Sequence, residues 1–245
     1  MQRLRRPRLV VGIVLAAVAV VGAVVWATGV LTTDAARPAP AGSALARFRA
    51  TVAHADGADG VYAYRTRGGE AIDVLGGSSH RYPAETTITL VRVPCGVRLR
   101  WDALAHRSTT WVLCATSDGI AMRRLDQVHL FFGSRDETDY ACTQHGAEFS
   151  CRAAHAAETG RVTVVGKGSI TVAGAQVAAL HVRTTATVSG GSSGVETVDW
   201  WLEPGSLLPL RVVVASRTSR AEPIVGTAHY RENATLRLVS TTPER

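Results

Sequence analysis

The sequence predicts an N-terminal membrane anchor followed by a mainly β extracytoplasmic domain. Three observations predict it: an uncharged apolar run behind a cluster of arginines, a hydrophobic period of two over most of the chain, and four cysteines spaced for two disulfides. The expected fold is one transmembrane helix, a short amphipathic helix, then a curved antiparallel sheet or half-barrel with two disulfides.

The anchor comes first. Leu9 to Leu31 reads LVVGIVLAAVAVVGAVVWATGVL, 23 residues without charge or proline. As a helix it spans about 35 Å at 1.5 Å per residue, enough for a hydrocarbon core of about 30 Å. A helix satisfies its own backbone groups inside lipid. Arg3, Arg5, Arg6 and Arg8 precede the run and no acid does, so residues 1–8 stay in the cytoplasm and the rest is exported. Trp26 sits where an interfacial ring belongs. A cleaved signal peptide has a shorter apolar region, roughly 7–15 residues, although Ala39-Pro40-Ala41 offers a small-residue stretch of the kind that is cut. The expected location is the cell membrane, single-pass, with the C-terminal domain outside.

Charge narrows the partners. The chain carries +7, and removing the four N-terminal arginines leaves +3 (7 − 4 = 3). Its basic character thus derives largely from the topology signal, and nucleic acid is not an implied partner. A single lysine, Lys167, stands against 26 arginines, the usage of a GC-rich genome.

Residues 32–42 (TTDAARPAPAG) form a Pro/Ala linker. The extracytoplasmic domain is then 43–245, large enough for a real core. Leu45, Phe48 and Val52 fall on one helical face, predicting a helix over 44–55 with Ser43 as its N-cap. From Gly60 the period becomes two. Segments 61–66 and 70–75 flank Arg67-Gly68-Gly69, a hairpin signal. Strands are expected at 86–93, 97–101, 109–114, 119–125, 161–165, 169–172, 176–188, 195–202, 207–216 and 225–240. Gly166-Lys167-Gly168, Ser189 to Gly194 and Pro204-Gly205 mark turns. A second short helix is expected around 153–159.

The cysteines are Cys95, Cys114, Cys142 and Cys151. Outside the cytoplasm an even count favours disulfides. Pairing VRLRWD with STTWVLC sets Cys95 opposite Cys114, and pairing YACTQ with EFSC sets Cys142 opposite Cys151. Opposed residues lie about 4.5–5.5 Å apart at Cα, within disulfide reach. Structural zinc prefers shorter C-x₂₋₄-C gaps.

No catalytic motif, cofactor loop or metal constellation stands out. The eight histidines form no HxH or HxxxH pair, although His145 and His155 bracket a disulfide hairpin and could meet. Gly190-Gly191-Ser192-Ser193-Gly194 lacks the lysine and helix of a phosphate loop and reads as a hairpin tip. Arg92, Arg98 and Arg100 share a parity, with Trp111 opposite Arg98, which suggests a cation–π contact on an anion-facing strand. Trp200-Trp201 places one indole on each side of its strand. Val198, Trp200 and Leu202 share one strand face, and Leu208, Leu210 and Val212 share a face of the next. If these faces coincide they form an apolar wall for a lipid-like ligand, with the 44–55 helix as its lid.

The stretches GVYAYRTRGGE, HRYP, RWDALAHRSTTWVLC and HLFFGSRDETDYAC resemble a group of membrane-anchored proteins of actinobacteria, a likeness that carries over no catalytic residue. From Gly168 to Ala215 the order V-x-G-x-x-V, long strand, Gly-rich tip, WWLEPG, LPLRV is similar to LolA/LppX-like half-barrel lipid-carrier domains. That resemblance implies a curved sheet holding an apolar ligand. The expected function is therefore a non-enzymatic envelope protein that binds an apolar or lipid-like ligand. The alternatives are an accessory module binding an envelope protein partner, and a hydrolase whose site is dispersed in sequence.

Overall fold

The computed structural model describes residues 37–40, 42–73, 77–117, 119–131, 134–222 and 226–245. The basic tail, the apolar run and most of the linker lie outside the described residues. Among the described residues no helix is long and apolar enough to cross a membrane.

Among the described residues one helix, α1 (Ser43–Thr51), precedes thirteen strands. They are β1 (Gly60–Asp73), β2 (Ser78–Arg81), β3 (Glu85–Val93), β4 (Gly96–Leu104), β5 (Arg107–Thr116), β6 (Gly119–Phe131) and β7 (Ser134–His145). They continue as β8 (Glu148–Arg152), β9 (Ala156–Val172), β10 (Ala175–Gly190), β11 (Ser193–Leu202), β12 (Pro209–Glu222) and β13 (Gly226–Leu238). All pairings are antiparallel between chain neighbours, except that β1 also pairs with β3 and β13. The β1–β13 ladder, from Tyr64↔Leu238 to Asp73↔His229, closes the sheet into a barrel. β2 and β3 follow β1 in one unbroken register, interrupted only at Tyr82–Ala84, where Pro83 has no ladder donor to give. The thirteen strands therefore occupy twelve positions round the ring.

The expected single antiparallel sheet is present, and it closes on itself rather than stopping as a half-barrel. A ring of this size would ordinarily enclose a lumen. Here it is flattened and filled. Trp111 of β5 and Trp200 of β11 stand six positions apart on the ring, yet their rings meet edge-to-face at 4.9 Å. Tyr64 Oη of β1 donates to the Pro209 carbonyl at 2.6 Å. A continuous core runs through Tyr62, Tyr64, Leu99, Trp101, Trp111, Phe149, Trp200, Leu210 and Leu236.

Several expectations are corrected. Arg67-Gly68-Gly69 is not a turn, because β1 runs straight through it. A Cβ on Gly68 would lie 1.9 Å from the Asn233 carbonyl oxygen, and one on Gly69 2.3 Å from that of His80. These glycines permit close strand approach on both sides. Gly166-Lys167-Gly168 likewise lies within β9, beside a bulge that skips Val165. Residues 153–159 form the β8–β9 turn and the start of β9 rather than a helix. α1 ends at Thr51, with Ser43 inside it and Gly42 at its cap.

The helix does not cover a concave face, since the closed ring leaves none. Phe48 and Ala44 pack with Val61 and Val91 on the outer wall, and Arg47 reaches Asp102 at 2.5 Å. The 4–5 hairpin is shifted by one residue from the expected register, so that Gly96, not Cys95, opposes Cys114. Trp111 therefore opposes Leu99 and points inward, and Arg98 opposes Val112 on the outside. No Arg98–Trp111 stack forms, and Arg92, opposite Val97, falls on the other face from Arg98 and Arg100.

The disulfides are nevertheless Cys95–Cys114 and Cys142–Cys151. The second joins directly opposed residues. The first links neighbours offset by one, with Cα atoms 4.8 Å apart. Non-reducing peptide mapping of exported protein should recover these two pairs alone. Cys142→Ser with Cys151→Ser should cost about 3 kcal/mol of stability on the chain-entropy model, measured by urea denaturation. Cross-paired peptides would show that the hairpin registers are wrong.

Candidate functional site

Alternation along twelve strand positions sorts the interior into two ends. The end that receives the chain from α1 is apolar. The end bearing the β4–β5 and β8–β9 turns is polar, because Glu70, His80, Tyr82, Arg107, His129, Tyr230 and Glu232 all fall at inward-facing positions there.

The six residues of the expected apolar wall converge as the sequence suggested. Trp200 opposes Val212 across β11 and β12, Leu202 opposes Pro209, and Val198 opposes Val214. Val198, Trp200, Leu202, Leu208, Leu210 and Val212 all face inward and are at most 4% exposed. They are packed core. The cavity beside them, lined by Trp111, Leu113, Leu125, Val198 and Trp200, measures about 10 Å³, the room of one water at most. Trp201 points outward instead, stacked on His181 at 4.2 Å and beneath the Arg211 guanidinium at 4.6 Å. His145 and His155 lie at opposite ends of β8 and do not meet.

The polar end holds a buried ion cluster. Arg107 is its centre, with Nε donating to Glu70 Oε2 at 3.2 Å and Nη2 to Glu232 Oε2 at 2.8 Å. Its Nη1 donates to Thr109 Oγ1 at 2.6 Å and to the Ser108 carbonyl at 3.0 Å. Tyr82 Oη donates to Glu232 Oε1 at 2.5 Å. Tyr230 Oη lies 3.1 Å from a carboxylate oxygen of each glutamate. Glu70, His80, Tyr82, Arg107 and Glu232 are each at most 4% exposed. His129, with its side chain 19% exposed, sits 3.6 Å from Glu70 and edge-on to Tyr230. The cluster thus comes to the surface at His129 and Tyr230.

Electrostatics follow from this enclosure. Burial alone would raise the Glu70 carboxyl. The neighbouring His129 and His80 imidazoles and the Arg107 charge outweigh it and hold Glu70 well below the usual carboxylate range. Burial works against the Arg107 charge, but Glu232 first and then the surrounding tyrosines and Glu70 keep it protonated. Burial and the Glu232 charge push the Tyr82 and Tyr230 hydroxyls far above their ordinary value, so both remain donors. Deleting one partner from such a set typically costs about 3–5 kcal/mol, because the remaining charge is stranded.

A line of potential proton transfer lies within the cluster. A carboxylate only accepts, so His80 Nδ1 donates to Glu70 Oε1 at 3.0 Å. His80 Nε2 lies 3.3 Å from Ser78 Oγ, with the donor set by the tautomer. Hydroxyl, imidazole and carboxylate stand in sequence, the geometry of an activated nucleophile. Sharing Glu70 with Arg107 weakens its pull on the imidazole.

Two further acids face inward near the cavity. Burial, then the neighbouring Glu196 charge, pushes the Glu158 carboxyl up to about 9. Burial and Glu232 raise Glu196 to about 7. Among the described residues no group of three or more His, Cys, Asp or Glu side chains has the geometry to hold a metal ion. No family model matches this chain, and no curated protein or solved structure is detectably similar to it.

The sequence reading missed the ion cluster, although a signal was present. Glu70 shares the parity of Tyr62 and Tyr64, and Glu232 that of Ala234 and Leu236, so each is a charge written into a core-facing row.

The raised Glu158 makes stability depend on pH. Unfolded, this carboxyl ionises near its ordinary 4.5; folded, it keeps its proton to about 9. Between those values the folded state holds a proton the unfolded state has released, so stability falls as pH rises through the window and levels off above it. Glu158→Gln should remove that contribution, leaving the variant more stable than the wild type at pH 8 by on the order of 5 kcal/mol. Urea titrations at a series of pH values read this directly, and parallel pH profiles for the two proteins would refute it.

Proposed function

We propose that this chain is a membrane-anchored extracytoplasmic envelope protein, non-enzymatic, that recognises its partner with the outer surface of a sealed barrel. The filled interior carries this reading. The wall expected to hold a lipid is occupied by the Trp111–Trp200 contact, and the adjacent cavity measures about 10 Å³. An acyl chain on that wall would have to displace that contact and its neighbours; the larger cavity, about 270 Å³, lies away from the wall, beside Ile120, Gln144 and Val162. The outer wall is rich in exposed arginine and continuous except at its turns, which suits an interaction module better than a carrier. The anchor half of the proposal rests on the uncharged run Leu9–Leu31 behind four arginines.

Both halves are testable. A C-terminal reporter should be active only outside the cytoplasm, and the full-length mass should stay in the membrane fraction. A soluble mature form beginning near residue 40 would remove the anchor. Native mass spectrometry of gently extracted protein should show no stoichiometric lipid bound to the domain. A retained lipid that shields Trp111 and Trp200 would restore the carrier reading.

One observation favours a second reading, a hydrolase. Ser78, His80 and Glu70 align as nucleophile, base and orienting carboxylate. A fluorophosphonate probe should then label Ser78, and His80→Gln should abolish labelling while the Cys142–Cys151 bridge still forms. If the wild type is not labelled under conditions that label a control serine esterase, the cluster is structural.

A further inference from the structure

Arginines dominate one side of the barrel's outer wall. On β1, β2, β12 and β13, the outward positions include Arg65, Arg67, Arg81, Arg217, Arg231 and Arg237, all exposed. The ladder registers set several side by side. Arg237 is directly opposite both Arg65 and Arg211, so three arginines cross three strands in one row. Arg217 is directly opposite Arg231. Between them lie small side chains such as Ala71, Ala215 and Asn233, which leave the guanidiniums unscreened.

Like charges directly opposed on a sheet are destabilising, and many arginines elsewhere in this protein are compensated. Arg47 and Arg100 share Asp102, Arg124 pairs with Asp126 and Asp139, Arg135 with Glu137, and Arg183 with Asp199. The six exposed arginines of this wall have no carboxylate or other hydrogen-bonding partner among the described residues. Among the described residues the exposed acids on these faces are Glu85, opposite Arg65, and Asp73, opposite His229. A predominantly positive field of this kind attracts an extended anion.

The course of the chain indicates which one. The Arg37 carbonyl accepts from Ala105 N in the β4–β5 turn, at the polar end of the barrel. That turn is at the same end as the start of β13 and the end of β12. Five residues, 32–36, separate Arg37 from the apolar run, and six Cα steps reach at most about 20 Å. If the run is a membrane anchor, the polar rim is tied close to the bilayer, and the arginine wall begins at that rim with Arg81, Arg217 and Arg231.

We propose that the wall formed by β12, β13, β1 and β2 lies against the anionic phosphodiester headgroups of the membrane in which the chain is anchored. The inference rests on the anchor reading above. Guanidiniums suit it, since each fork can take two phosphate oxygens. The contact orients the domain and leaves the opposite wall, around β7 and β8, turned outward for a partner.

The test uses the full-length chain in nanodiscs of phosphatidylcholine alone or mixed equally with phosphatidylglycerol. Arginines are labelled with phenylglyoxal and mapped by mass spectrometry. Labelling of Arg67, Arg81, Arg217 and Arg231 should fall several-fold in the anionic discs and recover in high salt. Arg152, exposed on β8 across the ring, should label equally in both. The double variant R217Q/R231Q should lose the protection at Arg67. Equal labelling of the wall in both discs would overturn the proposal. Equal protection by inorganic phosphate in neutral discs would assign an isolated phosphate site instead. Protection that persists when native membranes are exchanged into neutral lipid would assign an acidic protein partner. A chain that does not enter discs at all would refute the anchor reading, and the membrane as partner with it.

Discussion

The β1–β13 ladder is the constraint on which the rest of this structure depends. It joins the first strand to the last, so every intervening hairpin must fit a ring of fixed circumference. Closure removes the unpaired edges that an open sheet of this length would expose. It also decides what the inward residues can be. In an open half-barrel the wall from Val198 to Val212 would face a helix or a ligand. In the closed, flattened ring it faces Trp111 and the other side of the same sheet. The α1 helix is left to pack on the outer wall, where Val61 and Val91 receive it.

Closure also explains how a barrel can bury Arg107, Glu70 and Glu232 together. The three come from β5, β1 and β13, which are not neighbours in one hairpin. Only a ring that returns upon itself brings the second carboxylate to the guanidinium. The charges compensate one another, and the tyrosine hydroxyls satisfy the remaining lone pairs. The polar end is thus held by directional bonds and the other end by apolar packing. Desolvation of these groups offsets much of their mutual attraction.

Much of this architecture was legible in the residues. The two-residue period located most strands, and the spacing of the cysteines identified both disulfides. The faces carrying Val198, Trp200, Leu202, Leu208, Leu210 and Val212 were also correct. What failed was local reading of glycine. Gly68, Gly69, Gly166 and Gly168 look like turn residues, but they lie inside strands where a neighbouring backbone comes close or a bulge intervenes. Closure itself leaves no local mark, because it pairs residues more than 150 positions apart. The ion cluster was hidden for the same reason, although each of its carboxylates stood in a core-facing row. The arginine wall needs the register of four strands before its charges can be seen as one surface.

The path of the chain into the barrel has a mechanical consequence. The Arg37 carbonyl is fastened at Ala105, α1 then runs along the outer wall, and β1 begins at the opposite end of the ring. Arg47 clamps to Asp102, and Arg49 reaches the C-terminal Arg245 carbonyl at 2.7 Å. A pull on the N terminus therefore meets these contacts in series, peeling Arg37 and then α1 from the wall before any load reaches β1. When the load does arrive, β1 is held on both sides by ladders parallel to it and must be sheared rather than unzipped. The contacts of Arg37 and α1 thus act as a releasable slack ahead of the barrel, since they can part and re-form while the ladders of β1 stay intact.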